Sequence, residues 1–288
     1  MGKFAVFGDS ILDKYSFYDS NRNSPEAHVP IIVNETNEYF LGGAGLVSDT
    51  LIDLGNEVDL YTMLGQELNS EIFKSLVNKI SIFDFAEKKY KLTLKERIIV
   101  NQNYFLRKDY DAEEPPNIER VLTTFNELVN TYDAIVFVDY NKGFFNKNIF
   151  DLLSKIAAEN NLLSILDPNI NNELDFKNLD FIKLNESEAE YFSKKNTLED
   201  IFKTLNKNNL NVIITLSSKG AVTKIDNELI FAHSKKIKPV DVSGCGDVFL
   251  ANFISNYIKT NNLKLSLENS VNESTKYVSF FGNKKSDN

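Results

Sequence analysis

The sequence predicts an α/β fold in which helices cover both faces of a mostly parallel sheet, with a small β lid beside it. Short apolar runs rich in β-branched and aromatic residues alternate along the chain with segments of helical periodicity. Most of these runs end in polar or glycine residues. Parallel strands bring such endings together at one edge of the sheet, where open α/β folds bind ligands. We therefore expect one domain over residues 1–288 with its functional site at that edge.

The elements follow one another in a regular order. The predicted strands are residues 4–7, 58–61, 135–138, 162–166, 181–184 and 212–215. Helical periodicity is present over residues 45–54, 71–79, 118–129, 148–159, 198–205, 246–259 and 267–281. This alternation is typical of strand–helix–strand units that build a parallel sheet.

Two segments, near residues 11–33 and 91–107, do not follow this alternation. The second contains the stretch RIIVNQNYFLR, whose partial alternation is typical of β structure. We expect the two segments to pair as a small lid sheet that stands off the main sheet. Exposed strand edges can pair across a two-fold axis, so a homodimer through the lid strands is the expected assembly. The alternative is a pair of ordinary surface hairpins.

Composition limits the classes of partner. The chain has 32 basic and 41 acidic residues and a net charge of -9, which excludes the broad cationic surface that binds nucleic acid or anionic membranes. No run approaches ~18 uninterrupted apolar residues, and the first residues lack the pattern of a secretory signal. One cysteine and two histidines exclude an intramolecular disulfide framework and a His-rich metal site. We expect a cytoplasmic protein that binds small molecules.

Residues 241–247 read D-V-S-G-C-G-D and lead directly into an apolar helical pattern. The start of a helix offers unpaired amides and a positive dipole end, which suit a phosphate. Gly244 and Gly246 let the backbone approach the anion closely. Asp247 can then reach a hydroxyl beside the bound phosphate, and phosphoryl transfer needs little else besides positioning and charge neutralisation. The alternative is a capped helix in which Asp247 only satisfies backbone amides.

Four motifs occur in the order typical of one enzyme family. They are L-G-G-A at 41–44, N-E-S-E at 185–188, T-L-S-S-K-G at 215–220 and the segment 241–247. Together they resemble the ribokinase (PfkB-type) carbohydrate kinases, although Cys245 stands where alanine is usual and Ser217 replaces a glycine. The resemblance implies a ribokinase-like fold and an ATP-dependent sugar kinase that uses Mg²⁺.

The resemblance also implies roles for residues in the segment 241–247, which we refer to as the catalytic turn. Asp247 would be the general base, and the amides of Gly244, Cys245 and Gly246 would form an anion hole. Asp241 would help to hold a monovalent cation such as K⁺. For Cys245, a small packed residue and a thiol activated by the helix start are the two interpretations from sequence.

At the nucleotide side, the resemblance implies that Asn185 and Glu188 organise Mg²⁺ and phosphate, with Glu188 acting through water. The other residues implied to bind the cofactor ATP are Thr215, Ser218, Gly220 and Asn272, the last of them near the adenine.

Further segments resemble one branch of the family, the kinase of ADP-heptose synthesis. They are residues 8–15, 22–30, 106–109 and 139–143. That branch phosphorylates D-glycero-D-manno-heptose 7-phosphate at the anomeric oxygen, so a sugar phosphate is the expected substrate.

The implied sugar contacts come from Asp13, from Gly42 and Gly43, and from two cations. Asp13 would accept hydrogen bonds from vicinal hydroxyls. Arg107 and Lys142 would bind the distal phosphate, unless they are solvated surface cations.

Two departures leave other substrates open. Leu46 and Thr50 stand where this branch has asparagines, and a missing amide would remove sugar hydrogen bonds worth ~1 kcal/mol or more each. A kinase for another sugar, sugar phosphate or nucleoside is therefore an alternative, as is a homologue that binds its ligands without catalysis.

Overall fold

The computed structural model describes residues 1–280 except residues 78, 113 and 208. Its strands and helices are numbered in chain order. In the described residues the main sheet has nine strands: β1 (Lys3–Gly8), β4 (Glu57–Thr62), β5 (Ser81–Asp84), β8 (Ala134–Val138), β9 (Leu163–Asp167), β10 (Phe181–Asn185), β11 (Asn211–Thr215), β12 (Gly220–Ile225) and β13 (Glu228–His233).

The order across this sheet is β13-β12-β11-β10-β9-β8-β1-β4-β5. Every neighbouring pair from β11 to β5 is parallel, whereas β12 and β13 are antiparallel additions at one edge. The six predicted strands coincide with β1, β4, β8, β9, β10 and β11 within one residue or two at each end. The hairpin of β12 and β13 was not predicted, although Asp226 and Asn227 both have positive φ at its turn, as the tightest hairpins require.

Eight α-helices connect the strands in the described residues. They are α1 (Ala44–Asp53), α2 (Leu68–Leu76), α3 (Ile118–Leu128), α4 (Lys147–Glu159), α5 (Glu186–Ser193), α6 (Leu198–Leu205), α7 (Cys245–Thr260) and α8 (Leu263–Tyr277). Seven were predicted: the bounds of α6 agree with the prediction, and those of the other six differ at one end or both. Helix α5 was missed because its sequence, ESEAEYFS, has almost no apolar stripe. None of the helices in the described ranges has the length and apolar content needed to cross a bilayer.

Alternate side chains of β1 face two separate cores. Phe4 and Val6 pack with helices α1, α2, α7 and α8, whereas Ala5 and Phe7 pack with helices α3 to α6. Because successive residues of a strand point to opposite faces, this division shows that helices cover both faces of the sheet. The predicted α/β fold class is therefore confirmed.

A second sheet has four strands in the described residues: β2 (Ser10–Asp19), β3 (Val33–Gly43), β6 (Thr93–Val100) and β7 (Asn103–Tyr110). We refer to it as the small sheet. Its order is β3-β2-β6-β7, and β2 pairs with β6 in parallel, so the two predicted segments do not form independent hairpins. The boundary at residue 33 needs correction, because β3 begins there and continues to residue 43.

The small sheet starts directly at the carboxyl edge of the main sheet. Asp9 alone separates the end of β1 from the start of β2, and Gly43 ends β3 immediately before α1. By register, Asp13 lies opposite Lys95, and Arg97 lies between Tyr15 and Arg107. Residues opposite one another share a face of a sheet, so these side chains lie on one face.

The aromatic core around Phe7 gives a stability prediction. Its ring stacks on Tyr61 at 4.2 Å and contacts Phe125 edge-on at 5.0 Å. We expect Phe7→Ala to lower the free energy of unfolding by about 3–5 kcal/mol, because the cavity cannot collapse in a packed core. Phe231→Ala, at a side chain that is 41% exposed, should cost less than ~1 kcal/mol. Chemical denaturation of both variants measures this, and equal losses would contradict the assigned core.

Candidate active site

Asp9 fixes the loop that follows β8. Its carboxylate is 4% exposed and accepts hydrogen bonds from the amides of Tyr140 (2.9 Å), Lys142 (3.0 Å) and Phe144 (2.9 Å). Burial raises the pKa of Asp9, and the three amides oppose that shift. A buried carboxylate with three donors holds this loop in one conformation.

Asp247 lies in the first turn of α7 and is 1% exposed. Its Oδ1 accepts a hydrogen bond from the Tyr140 hydroxyl (2.8 Å), and its Oδ2 accepts one from the Gly43 amide (3.2 Å). The carboxylate thus joins α7 to the end of β3 and to the loop after β8. Burial, and secondarily the charge of Asp167, raise the pKa of Asp247 to about 7.

Two backbone amides at the start of α7 have no hydrogen-bond partner within the helix. Gly244 adopts a φ of 75°, and its carbonyl accepts the first intrahelical bond, from the Val248 amide at 3.0 Å. The amides of Gly246 and Asp247 precede this bond and so have no partner within the helix. Together with the helix dipole they can receive an anion.

Cys245 was predicted to contribute its amide to the anion hole, and the structure does not favour this. Its amide donates to the Val242 carbonyl (3.3 Å), so it is already engaged within the turn. Its Sγ lies 4.0 Å from the Ser274 carbonyl oxygen, and burial raises the pKa of the thiol. These contacts favour a small packed residue over an activated thiol.

A cavity of about 930 Å³ opens beside this turn. It lies between the end of β11, the segment after β13 and helices α7 and α8. Phe249, Val271 and Val278 form an apolar part of its wall, which suits the flat aromatic ring of a nucleotide base. Five predicted residues line it: Thr215, Ser218, Gly220, Cys245 and Gly246.

Asn272 is exposed on α8 and does not line this cavity, although its neighbour Val271 does. Thr275, one helical turn further on, also lines the cavity. The predicted adenine contact of Asn272 therefore has no support in the geometry of the cavity.

Asn185 and Glu188 bond to each other at the start of α5. Asn185 Oδ1 accepts from the Glu188 amide (2.9 Å), and Glu188 Oε2 accepts from the Asn185 amide (2.7 Å). Burial raises the pKa of Glu188. One carboxylate with water and ligand phosphates is a usual environment for Mg²⁺, and these oxygens fit it.

Asp241 connects the catalytic turn to the small sheet. Its Oδ1 accepts from the Ser243 amide (2.9 Å), and its Oδ2 accepts from the Tyr15 hydroxyl (2.6 Å). Carboxylate oxygens retain further lone pairs, so these bonds are compatible with a nearby cation. The K⁺ site stays a prediction.

Asp13 forms a buried, hydrogen-bonded ion pair with Arg97. The guanidinium also lies over the ring of Tyr15, at 5.0 Å from its centroid. Burial raises the pKa of Asp13, and Arg97 opposes the shift. Gly42 lies against this carboxylate, because a Cβ at that position would stand 2.8 Å from Asp13 Oδ2.

The two predicted phosphate-binding cations have carboxylates beside them. Lys142 Nζ lies 2.7 Å from Asp111 Oδ2. Arg107 makes two bonds to Asp109, at 2.7 and 2.9 Å, and is half exposed.

A third cation, Lys95, was not predicted. Its Nζ lies 5.2 Å from the centroid of the Tyr140 ring, and burial lowers its pKa. The positive charges of Arg107 and Lys142 lower this pKa further, whereas the charges of Asp13 and Asp109 oppose the shift. We refer to Lys95, Arg107 and Lys142 as the cation cluster.

The profile of the pfkB family carbohydrate kinases matches residues 1–278. The chain belongs to this family. As a pfkB family member it is an ATP-dependent sugar kinase.

Among curated proteins, the bifunctional protein HldE of Helicobacter acinonychis (strain Sheeba) is 30% identical over 284 residues, covering 93% of this chain and 61% of that protein. The chain thus spans about three fifths of the length of this relative. Among solved structures, a carbohydrate kinase from Agrobacterium tumefaciens matches with a TM-score of 0.74, 16% identity and coverage of 95% and 90%. Arabidopsis thaliana ribokinase complexed with ribose and ATP matches with a TM-score of 0.72, 15% identity and coverage of 98% and 94%. These two similarities concern the fold.

The sequence analysis assigned no role to several polar residues of this pfkB kinase. They are Asp9, Tyr140, Lys95, Arg97, Asp167 and Lys183. Tyr140 belongs to the D-Y-N-K-G stretch at 139–143, from which only Lys142 was selected. The alternation of Lys95 and Arg97 in β6 could have shown that both lie on one face.

Gly43 gives a prediction with a matched control. It has a φ of 57°, and a Cβ there would stand 2.3 Å from the Asp9 carbonyl oxygen. Gly55 also has a positive φ, 80°, but nothing lies within 4 Å of its Cβ position. We expect Gly43→Ala to cost more than ~2 kcal/mol of stability and Gly55→Ala about 1 kcal/mol.

Gly43→Ala should also reduce kcat/KM at least ~10-fold, because it displaces an amide that contacts the Asp247 carboxylate. Gly55→Ala should keep kcat/KM near the wild-type value. Denaturation curves and initial rates measure both effects, and similar losses in the two variants would refute the role of Gly43.

Proposed function

We propose that this kinase phosphorylates D-glycero-D-manno-heptose 7-phosphate at its anomeric hydroxyl to give the 1,7-bisphosphate. The observation that carries the proposal is the position of Tyr140. Its hydroxyl contacts the Asp247 carboxylate, and its ring lies beside Lys95 of the cation cluster. Tyr140 therefore lies between the proposed base and a cation that can bind a second phosphate.

Asp247 is proposed as the general base. Its carboxylate accepts the proton of the anomeric hydroxyl as that oxygen bonds to the γ-phosphorus of ATP and the bond to the ADP oxygen breaks. A pKa of about 7 leaves about half of the Asp247 carboxylate ionised at neutral pH, and the ionised form is basic enough to take a proton. Tyr140 and Gly43 hold both oxygens, so the base is positioned before the sugar binds.

The phosphates of ATP are proposed to lie at the start of α7. The amides of Gly246 and Asp247 and the positive end of the helix dipole face the transferring group. Mg²⁺ bound with ATP would neutralise phosphate charge, with Glu188 and Asn185 holding it through water. Thr215, Ser218 and Gly220 would contact the nucleotide within the cavity.

The heptose assignment draws on segments 8–15, 22–30, 106–109 and 139–143, and on the similarity to HldE. Arg107 can bind a phosphate by two parallel hydrogen bonds and Lys142 as a point charge. Leu46 does not argue against a polar substrate, since it is 4% exposed and packs in the core. Thr50 donates to the Leu46 carbonyl within α1, at 2.8 Å.

The small sheet is also proposed to act as lid and dimer surface. Its strand β7 is exposed along its length and carries Tyr104, Phe105, Leu106 and Tyr110 on the surface. Pairing of such an edge in a second copy would bury these side chains.

A substrate panel tests the proposed function. ATP consumption with Mg²⁺ should show kcat/KM for heptose 7-phosphate at least ~100-fold above that for the unphosphorylated heptose, since charge-assisted contacts to phosphate are among the strong ones. Ribose, fructose 6-phosphate and a nucleoside serve as competing substrates. Preference for any of these, or no turnover at all, would refute the heptose assignment.

Lys142→Met should lower kcat/KM for the phosphorylated sugar by ~10-fold or more and leave the unphosphorylated sugar nearly unaffected. Lys155→Met is the matched control, because Lys155 is exposed on α4 and pairs with Glu159. Equal loss on both sugars would exclude a phosphate contact for Lys142.

Asp247→Asn should reduce kcat by ~100-fold or more while ATP affinity stays nearly constant, in line with general-base losses. Because the pKa of Asp247 is raised to about 7, the base is protonated at lower pH. The wild-type kcat/KM should therefore fall about tenfold per unit as pH drops below 7 and level off above it. Rates across this pH range and ATP titrations measure both effects. A flat profile together with an active variant would remove Asp247 from the role.

A further inference from the structure

Lys183 is a buried cation at the centre of the site. It lies in β10 and is 6% exposed. Its Nζ forms a hydrogen-bonded ion pair with Oδ2 of Asp167, at the end of the neighbouring strand β9. Both residues lie at the carboxyl edge of the main sheet.

The ammonium faces the catalytic turn. A Cβ on Gly246 would stand only 3.1 Å from Lys183 Nζ, so no side chain separates the ammonium from this turn. The amides of Gly246 and Asp247, which have no partner within the helix, belong to the same first turn of α7. Burial raises the pKa of Asp247 and of Cys245, and the positive charge of Lys183 opposes both shifts.

Three carboxylates lie near the Lys183 ammonium. Burial lowers the pKa of Lys183, but the negative charges of Asp167, Glu188 and Asp247 outweigh burial and raise it. A phosphoryl group entering there brings further negative charge, and neutralising it is the main task in phosphoryl transfer. A buried ion pair by itself contributes little to stability, so stability alone gives little reason to bury this lysine.

We propose that Lys183 is a catalytic residue whose ammonium binds the transferring phosphoryl group, and that Asp167 is the residue that positions it. The inference rests on the kinase activity but not on the identity of the sugar. Asp247 takes the proton of the acceptor hydroxyl, the acceptor oxygen bonds to the γ-phosphorus, and the bond to ADP breaks. Lys183 keeps its protons throughout and offsets the charge on the phosphoryl oxygens.

Two variants and their combination test this role. Lys183→Met alone leaves the Asp167 carboxylate buried without its partner and can fail to fold. The double variant Lys183→Met/Asp167→Asn removes both charges, and its thermal unfolding should stay close to that of Asp167→Asn. Its kcat should be ~100-fold or more below that of Asp167→Asn, as expected when a transition-state charge contact is lost. Lys155→Met again serves as the control.

For Asp167→Asn we expect a lower kcat with little change in KM for the sugar, because it affects the position of a group that acts on the transferring phosphoryl. A folded double variant with the same kcat as Asp167→Asn, at whatever level, would overturn the proposal, since Lys183 would then serve only to neutralise Asp167. All rates are measured with the sugar that the wild-type enzyme prefers. A wrong heptose assignment and a wrong role for Lys183 therefore give different results.

Discussion

The site depends on the hydrogen bonds between the buried carboxylate of Asp9 and the three amides of the loop after β8. That loop carries Tyr140, whose hydroxyl contacts Asp247. The carbonyl of Asp9 also accepts the amide of Ala44, the first residue of α1, at 2.9 Å. One residue between the two sheets therefore fixes the loop and the start of a helix. A charged group with this many buried donors is replaced only at high cost, so it constrains everything built on it.

Electrostatic balance is the second constraint on the site. Burial raises the pKa of Asp247, Asp13 and Glu188, so each carboxylate is held in an environment that opposes its charge. Arg97 opposes this at Asp13, and Lys183 opposes it at Asp247. The site thus combines basic carboxylates with fixed cations, an arrangement suited to moving a proton away from an alcohol while stabilising a phosphate.

The sequence was informative wherever a local pattern decided the structure. Periodicity located six strands and seven helices, and glycine spacing located the turn before α7. The sequence could not show that the loop after β8 reaches Asp247, because that contact depends on β8 lying beside β1 in the sheet. Lys183 was missed for a similar reason. Its partner belongs to the neighbouring strand, and its position over Gly246 exists only once α7 packs on the sheet.

The hydroxyl of Tyr15 and the carboxylate of Asp241 join strand β2 of the small sheet to the turn beside the cavity of about 930 Å³. Arg97 lies over the same ring and pairs with Asp13. Occupancy at one end that alters the free energy of this chain of contacts must alter the affinity at the other end by the same factor, since linkage is reciprocal. The binding of the sugar and the binding of the proposed nucleotide would then be cooperative, because the hydrogen bond between Tyr15 and Asp241 is common to both.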